Sequence, residues 1–144
     1  MRFKQFGDRY MLRLESGEPA METLRKFLSD ERIDFSFLSA AGAFQSVTLG
    51  YWNATTRSYA YRDFNEQLEV LSFQGNTALK DDKPFLHIHG VFGRPDYTVI
   101  GGHVKEGRVH PTLEVWIRTE AARVRRTRDD ASGLDLLDLP IDQS

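Results

Sequence analysis

The sequence predicts an α+β fold, a curved and mainly antiparallel sheet of about seven strands with one flanking helix. Two observations lead there. Only one segment carries apolar residues at helical spacing, namely Met21, Leu24, Phe27 and Leu28. Elsewhere, short runs rich in aromatic and β-branched residues are separated by close turn signals, the pattern of a meandering sheet rather than of alternating βαβ units.

Taken in order, Tyr10 to Glu15 alternates around Met11, Leu12 and Leu14 and reads as a strand ended by Gly17. Pro19 suits a helix start, where its missing N–H leaves nothing unsatisfied, and the helix runs to about Arg32. Phe35 to Ala41 is a short apolar run stopped by Gly42, which fits a buried strand. Phe44 to Trp52 and Ser58 to Phe64 follow as strands, with Asn53-Ala54-Thr55-Thr56 as the hairpin turn between them. Leu68 to Phe73 is the next strand, punctuated by Gly75-Asn76. Phe85–Phe92 and Tyr97–Val104 are joined by Gly93-Arg94-Pro95-Asp96, and Thr112–Arg118 follows the turn-like Lys105-Glu106-Gly107.

A chain of 144 residues, 40% hydrophobic and 28% charged, fits one domain with a real core and lies far from a disordered composition. No repeat or low-complexity linker divides it. The expectation is a single domain over 1–144, with 121–144 as a C-terminal docking tail whose Leu134, Leu136, Leu137 and Leu139 alternate with aspartates. The opening Met1-Arg2-Phe3-Lys4-Gln5 is not an apolar leader, and no run approaches the ~18–20 apolar residues of a membrane span, so a cytoplasmic address and no membrane partner are expected.

Cysteine is absent, so disulfides and thiolate ligands are excluded and any transition-metal site must use imidazole and carboxylate. The net charge of -2 lacks the strongly basic balance of a dedicated nucleic-acid binder. Locally, Arg118, Arg123, Arg125, Arg126 and Arg128 crowd together before Asp129, Asp130, Asp135, Asp138 and Asp142. Paired solvated charges explain such a segment, and a phosphate-binding patch through Arg123, Arg125, Arg126 and Arg128 is the alternative.

The chemistry concentrates at the histidines. In His87-Ile88-His89 the period of a strand puts both imidazoles on one face, with Leu86 and Ile88 on the other. If Phe92 lies opposite Thr98, His103 stands opposite His87 and Gly101 opposite His89, leaving a gap beside three converging rings. A slip of one residue would send His103 through the sheet. Three histidines without a fourth protein ligand match the open zinc arrangement, although copper, nickel and ferrous iron also accept imidazole. Histidines also sit at sheet edges with no metal at all, and His110 before Pro111 reads as a surface or turn histidine. Glu69, alternating with Leu71 and Phe73, is a candidate acid/base or supporting carboxylate, or else the partner of an arginine. Glu114 raises the same question. No Ser-His-Asp order, Walker-type loop or dinucleotide fingerprint is present.

The segments Leu86-His87-Ile88-His89-Gly90, Gly101-Gly102-His103-Val104 and Thr112-Leu113-Glu114-Val115 together resemble the PPC domain, shared by plants and prokaryotes. The similarity continues through Leu12-Arg13-Leu14 with Gly17-Glu18, Gly42-Ala43, Leu49-Gly50-Tyr51-Trp52, Glu69 to Asn76 and Gly133-Leu134-Asp135-Leu136-Leu137. The resemblance implies a curved antiparallel sheet with a flanking helix, assembly into a homotrimer, and a nominal DNA-associated, regulatory role. It also implies metal binding by His87, His89 and His103, which resemble the liganding histidines of prokaryotic members. The AT-hook arm that accompanies the domain in plants is absent. Two further functions stay open beside the regulatory one: a metal-dependent hydrolase or lyase acting on a small molecule, and a non-catalytic interaction module.

Overall fold

The computed structural model describes residues 1–140; Asp142 and the end of the expected docking tail, 141–144, lie outside the described residues. The elements run β1 (Arg2–Phe6), β2 (Arg9–Glu15), α1 (Ala20–Asp30), β3 (Ser36–Asn53), β4 (Ser58–Phe64), β5 (Leu68–Lys80), β6 (Lys83–Gly93), β7 (Val99–Thr119), β8 (Arg125–Asp129) and β9 (Leu134–Asp138). This is the expected α+β class, a largely antiparallel sheet with one helix. Nine strands form a single sheet in the order β1-β2-β7-β3-β5-β8-β9, with β4 on β3 and β6 bridging β5 and β7. The β3–β5–β6–β7 pairings close a ring, so the middle of the sheet curls on itself and hides its inner face.

Alternation explains the curl and the core. On β2 the pattern buries Tyr10, Leu12 and Leu14 and exposes the residues between them. Leu86, Ile88 and Phe92 on β6 and Val109, Leu113, Val115 and Ile117 on β7 point the same way, around Phe44 and Phe73. The helix lays Met21, Leu24, Phe27 and Leu28 on this core, each of them buried.

Three expectations give way. The stop expected at Gly42 is a bulge inside one 18-residue strand. Gly42 has φ +139, and a Cβ there would lie 2.2 Å from the Thr112 carbonyl oxygen, so glycine lets β3 bend against β7 without ending. Lys105-Glu106-Gly107 is likewise no turn, because β7 runs through it for 21 residues while its register against β3 shifts. Gly75-Asn76 lies inside β5 as well, and β1 and the β8–β9 hairpin are strands the apolar pattern did not signal. Strands with exposed residues on both faces carry no period-2 hydrophobic signature.

The register of β6 on β7 is the correction that matters most. Phe92 pairs with Ile100, His89 with His103, and Val91 with Gly101, rather than Phe92 with Thr98, His87 with His103 and His89 with Gly101. The loop sets this. Gly93 pairs with Val99, and Arg94 to Thr98 close on themselves through the Arg94 amide to the Thr98 carbonyl at 2.9 Å and the Asp96 carboxylate on the Thr98 amide at 3.0 Å. The displacement is two residues, an even number, so every side chain keeps its face.

The C-terminal hairpin touches the sheet at one parallel bridge, Leu79 to Arg125, supported by the Leu79 amide donating to the Val124 carbonyl at 2.9 Å. Lys80 and Asp135 add an ion pair at 2.5 Å. No helix among the described residues is long and apolar enough to cross a membrane.

Candidate metal centre

His87, His89 and His103 meet on one face of β6 and β7. Their candidate ligand atoms all lie within 4.8 Å of one another. Ring centroids are 5.2 Å apart for His87–His89, 5.5 Å for His87–His103 and 5.6 Å for His89–His103. Alternation delivers this: Leu86, Ile88 and Val104, each next in sequence to one of the three, are buried on the opposite face.

Neighbouring strands finish the walls. Asn76 pairs with His87 and Gln74 with His89 across β5–β6, while Gly50 of β3 pairs with His103. Gly75, between those two amides, is required by close approach, since a Cβ there would lie 1.9 Å from the His87 carbonyl oxygen. Tyr59 of β4 stacks obliquely on His103 at 5.2 Å.

Arg126 reaches the cluster from β8. Its Nη2 donates to Asn76 Oδ1 at 2.7 Å and approaches His87 Nδ1 at 3.3 Å, its Nη1 donates to the Asp135 carbonyl at 2.9 Å, and its guanidinium lies 5.4 Å from the Phe85 ring centroid. An arginine only donates, so His87 Nδ1 accepts, and without metal the His87 proton sits on Nε2.

These surroundings disfavour the charged forms of His87 and His103. Burial first, then the Arg126 guanidinium and the other two imidazoles, hold His87 down to about 4. Burial, then His89 and Arg126, lower His103. Neutral imidazole is the metal-binding form, so the lowered His87 and His103 favour a cation over a proton.

The donor set also fits a metal by a second test. His103 Nδ1 is buried with no hydrogen-bond partner among the described residues, the kind of orphan that an ion or an ordered water resolves. Tetrahedral bonds of 2.0–2.1 Å would bring ligand nitrogens to about 3.3 Å, so modest ring rotations would close the present spread.

Other sequence candidates fall elsewhere. The Glu69 carboxylate is exposed, accepts from Gln67 Nε2 at 3.4 Å, and its residue pairs with Gly93 and Ala43. It lies five residues along β5 from Gln74, about 16 Å at the strand rise, and the structure does not bring it to the histidines. Glu114 pairs with Arg13 on β2 and is exposed. His110 meets Ser16 Oγ at 2.9 Å on the surface. The four arginines do not share one face: Arg123 and Arg125 both hold Asp82 at 2.9 Å, whereas Arg126 and Arg128 line a cavity of about 430 Å³ beside His87 and His103. The sequence reading missed Asn76, Tyr59 and the inward role of Arg126. Only the period of β8, which puts Arg126 and Arg128 on one side, carried a signal, and no apolar residue marked that side as inner.

Comparison with known proteins places this geometry in company. The family model of the Plants and Prokaryotes Conserved (PCC) domain matches residues 1–120. A metal-containing protein from Archaeoglobus fulgidus is 33% identical, with a TM-score of 0.86 over 94% of this chain and 97% of its own. A candidate DNA-binding protein from Bacteroides thetaiotaomicron is 26% identical, with a TM-score of 0.92 over 95% and 96%. A plant- and prokaryote-conserved (PPC) protein from Pyrococcus horikoshii is 25% identical, with a TM-score of 0.85 over 97% of both chains. No curated protein matches.

Proposed function

The chain belongs to the Plants and Prokaryotes Conserved (PCC) domain family, and from that membership we propose that it is a metal-binding member whose working site is His87, His89 and His103. The observation that carries this is the convergence of three imidazoles with a buried, unpartnered His103 Nδ1 among them. The similar Archaeoglobus protein is a metal-containing one, which favours the same reading. Zinc suits three imidazoles best, because it accepts three protein ligands and keeps one position open for water or a small ligand. When bound there it would supply Lewis acidity. This chain's residues would hold and orient it: Asn76 pairs with His87 across β5–β6, Tyr59 packs on His103, and the buried layer of Leu86, Ile88 and Val104 fixes the strands behind.

Metal content of protein purified without an affinity tag tests the site. About one equivalent of zinc per chain in the natural protein, and little in a His87→Ala/His103→Ala variant, is expected. Equal content in both would remove these ligands.

We read the whole chain as one domain with 121–144 as its docking tail, a reading supported within the described residues, up to 140, by the Leu79–Arg125 bridge and the Lys80–Asp135 pair. A homotrimer fits the outer face, where Phe37, Leu71, Val99 and Trp116 are exposed. Light scattering should give one species near three chain masses, and a monomer would contradict it.

A DNA-associated, regulatory role is the second reading, favoured by the Bacteroides relative. Binding through Arg123, Arg125, Arg126 and Arg128 would weaken steeply with salt, because phosphate contacts release counterions. Absence of a duplex shift at low salt would end that reading.

A further inference from the structure

The cavity beside the histidines holds more positive charge than its lining carboxylate neutralises among the described residues. It is about 430 Å³ and is bounded on the sheet side by His87, His103 and Lys105, and on the hairpin side by Arg126, Arg128 and Asp135. Asp135 is already paired, its carboxylate 2.5 Å from Lys80. Every hydrogen-bond partner of Arg126 is an uncharged group, namely the Asp135 carbonyl, the Asn76 amide and the His87 ring, although the Asp135 carboxylate acts on it through space. Lys105 rests 4.4 Å from the centroid of the Tyr61 ring. Among the described residues neither Lys105, Arg126 nor Arg128 has a salt-bridge carboxylate, while Arg25, Arg123 and Arg125 each do.

We propose that this cavity binds a small organic carboxylate, with Arg126, Arg128 and Lys105 facing its charged end and the His87/His89/His103 metal next to it. Charge balance argues for an anion. A doubly charged cation on the three imidazoles, placed beside Arg126, adds positive charge to a half-buried space where Asp135, already paired with Lys80, is the one lining carboxylate among the described residues, and an anion from outside would offset it. Size argues for a small molecule, since the volume is that of a ligand pocket and the β8–β9 hairpin forms one wall of it. Chemistry argues for a carboxylate with an apolar body. Arginine forks match carboxylates in two-point contact, and Phe85 and Leu134 supply apolar wall beside the charges. Arg126, Arg128 and Leu134 all come from beyond residue 120, outside the residues that match the family model, so the ligand preference would be set by the C-terminal hairpin.

The assignment rests on the metal reading only for the neighbouring cation, and the test separates the two. Benzoate, its neutral analogue benzamide, and inorganic phosphate are titrated calorimetrically into metal-free and zinc-loaded protein. Benzoate should bind both forms at least about tenfold more tightly than benzamide, as expected for a charge-assisted hydrogen bond of about 1.5–3 kcal/mol. Zinc should tighten it further, and benzoate should tighten zinc by the same factor. Arg126→Gln should weaken benzoate about tenfold or more. Because that residue also braces the hairpin, Arg128→Gln and Lys105→Gln serve as independent variants, each expected to weaken benzoate at least about threefold. Equal binding of benzoate and benzamide, phosphate bound more tightly than benzoate, or unchanged affinity in Arg128→Gln and Lys105→Gln would overturn the proposal. Arginine-dependent benzoate binding in a protein that retains no zinc would uphold the carboxylate site and remove the metal.

Discussion

The Met21 amide nitrogen lies 2.8 Å from Glu106 Oε1, a hydrogen bond between residues 85 apart in the chain. The Glu22 amide lies 3.3 Å from Glu106 Oε2, and Glu106 also receives its neighbour's amide, Gly107, at 2.9 Å. Pro19, at the start of α1, has no capping side chain, so β7 supplies from afar the acceptor that Ser, Thr or Asp usually provides locally. The carboxylate also faces the positive end of the helix dipole. This contact ties α1 to β7 close to Lys105 and the cavity.

Glu106→Ala should therefore cost about 1–2 kcal/mol, the size of a lost N-cap. The urea unfolding midpoint reads this, and a change below about 0.3 kcal/mol would show that water replaces the carboxylate without loss.

Gly75→Ala is expected to be more damaging. The added methyl would meet the His87 carbonyl oxygen at 1.9 Å, a backbone atom held by the β5–β6 ladder, so the strands must separate next to the site. A stability loss of about 2 kcal/mol or more is expected from overpacking, together with weaker zinc retention. Unchanged stability and metal content would contradict the close approach.

Ser36 Oγ and Thr77 Oγ1, both fully buried, are 2.9 Å apart. Removing one hydroxyl strands the other away from water. Ser36→Ala should cost about 1–3 kcal/mol, and Ser36→Ala/Thr77→Val should recover part of that loss because neither partner is then left unpaired. Additive losses in the double variant would argue against the pairing.

The metal-free protein should lose stability as pH falls from about 6.5. His87 is held down to about 4 by burial, Arg126 and its neighbouring rings, and His103 is lowered for similar reasons. Above the unfolded value near 6.5, both folded and unfolded chains carry neutral rings and stability is unaffected. Below it, the unfolded chain takes up protons that the folded chain resists, so unfolding is favoured progressively until the folded rings titrate as well. With allowance for solvent screening of half-exposed rings, the loss between pH 7 and pH 5 is roughly 1 kcal/mol. Urea midpoints at the two pH values measure it, and His87→Gln should flatten the slope. An identical slope in that variant would assign the dependence to other groups.

Local pattern alone determined the α+β class, the single helix, and the common face of His87 and His89. Those properties depend on periods of 3.6 and 2 that are written in consecutive residues. Whether His103 joins them was decided by the Arg94–Thr98 loop, whose closure moved the register by two residues and kept the parity. Tertiary structure alone moved Glu69 out to solvent, fused strands across Gly42 and Glu106, and swung Arg126 and Arg128 inward over the histidines. Each of these depends on where a distant strand lands, through a bulge, a loop length or a docked hairpin, and non-local pairing leaves no periodic trace along the chain.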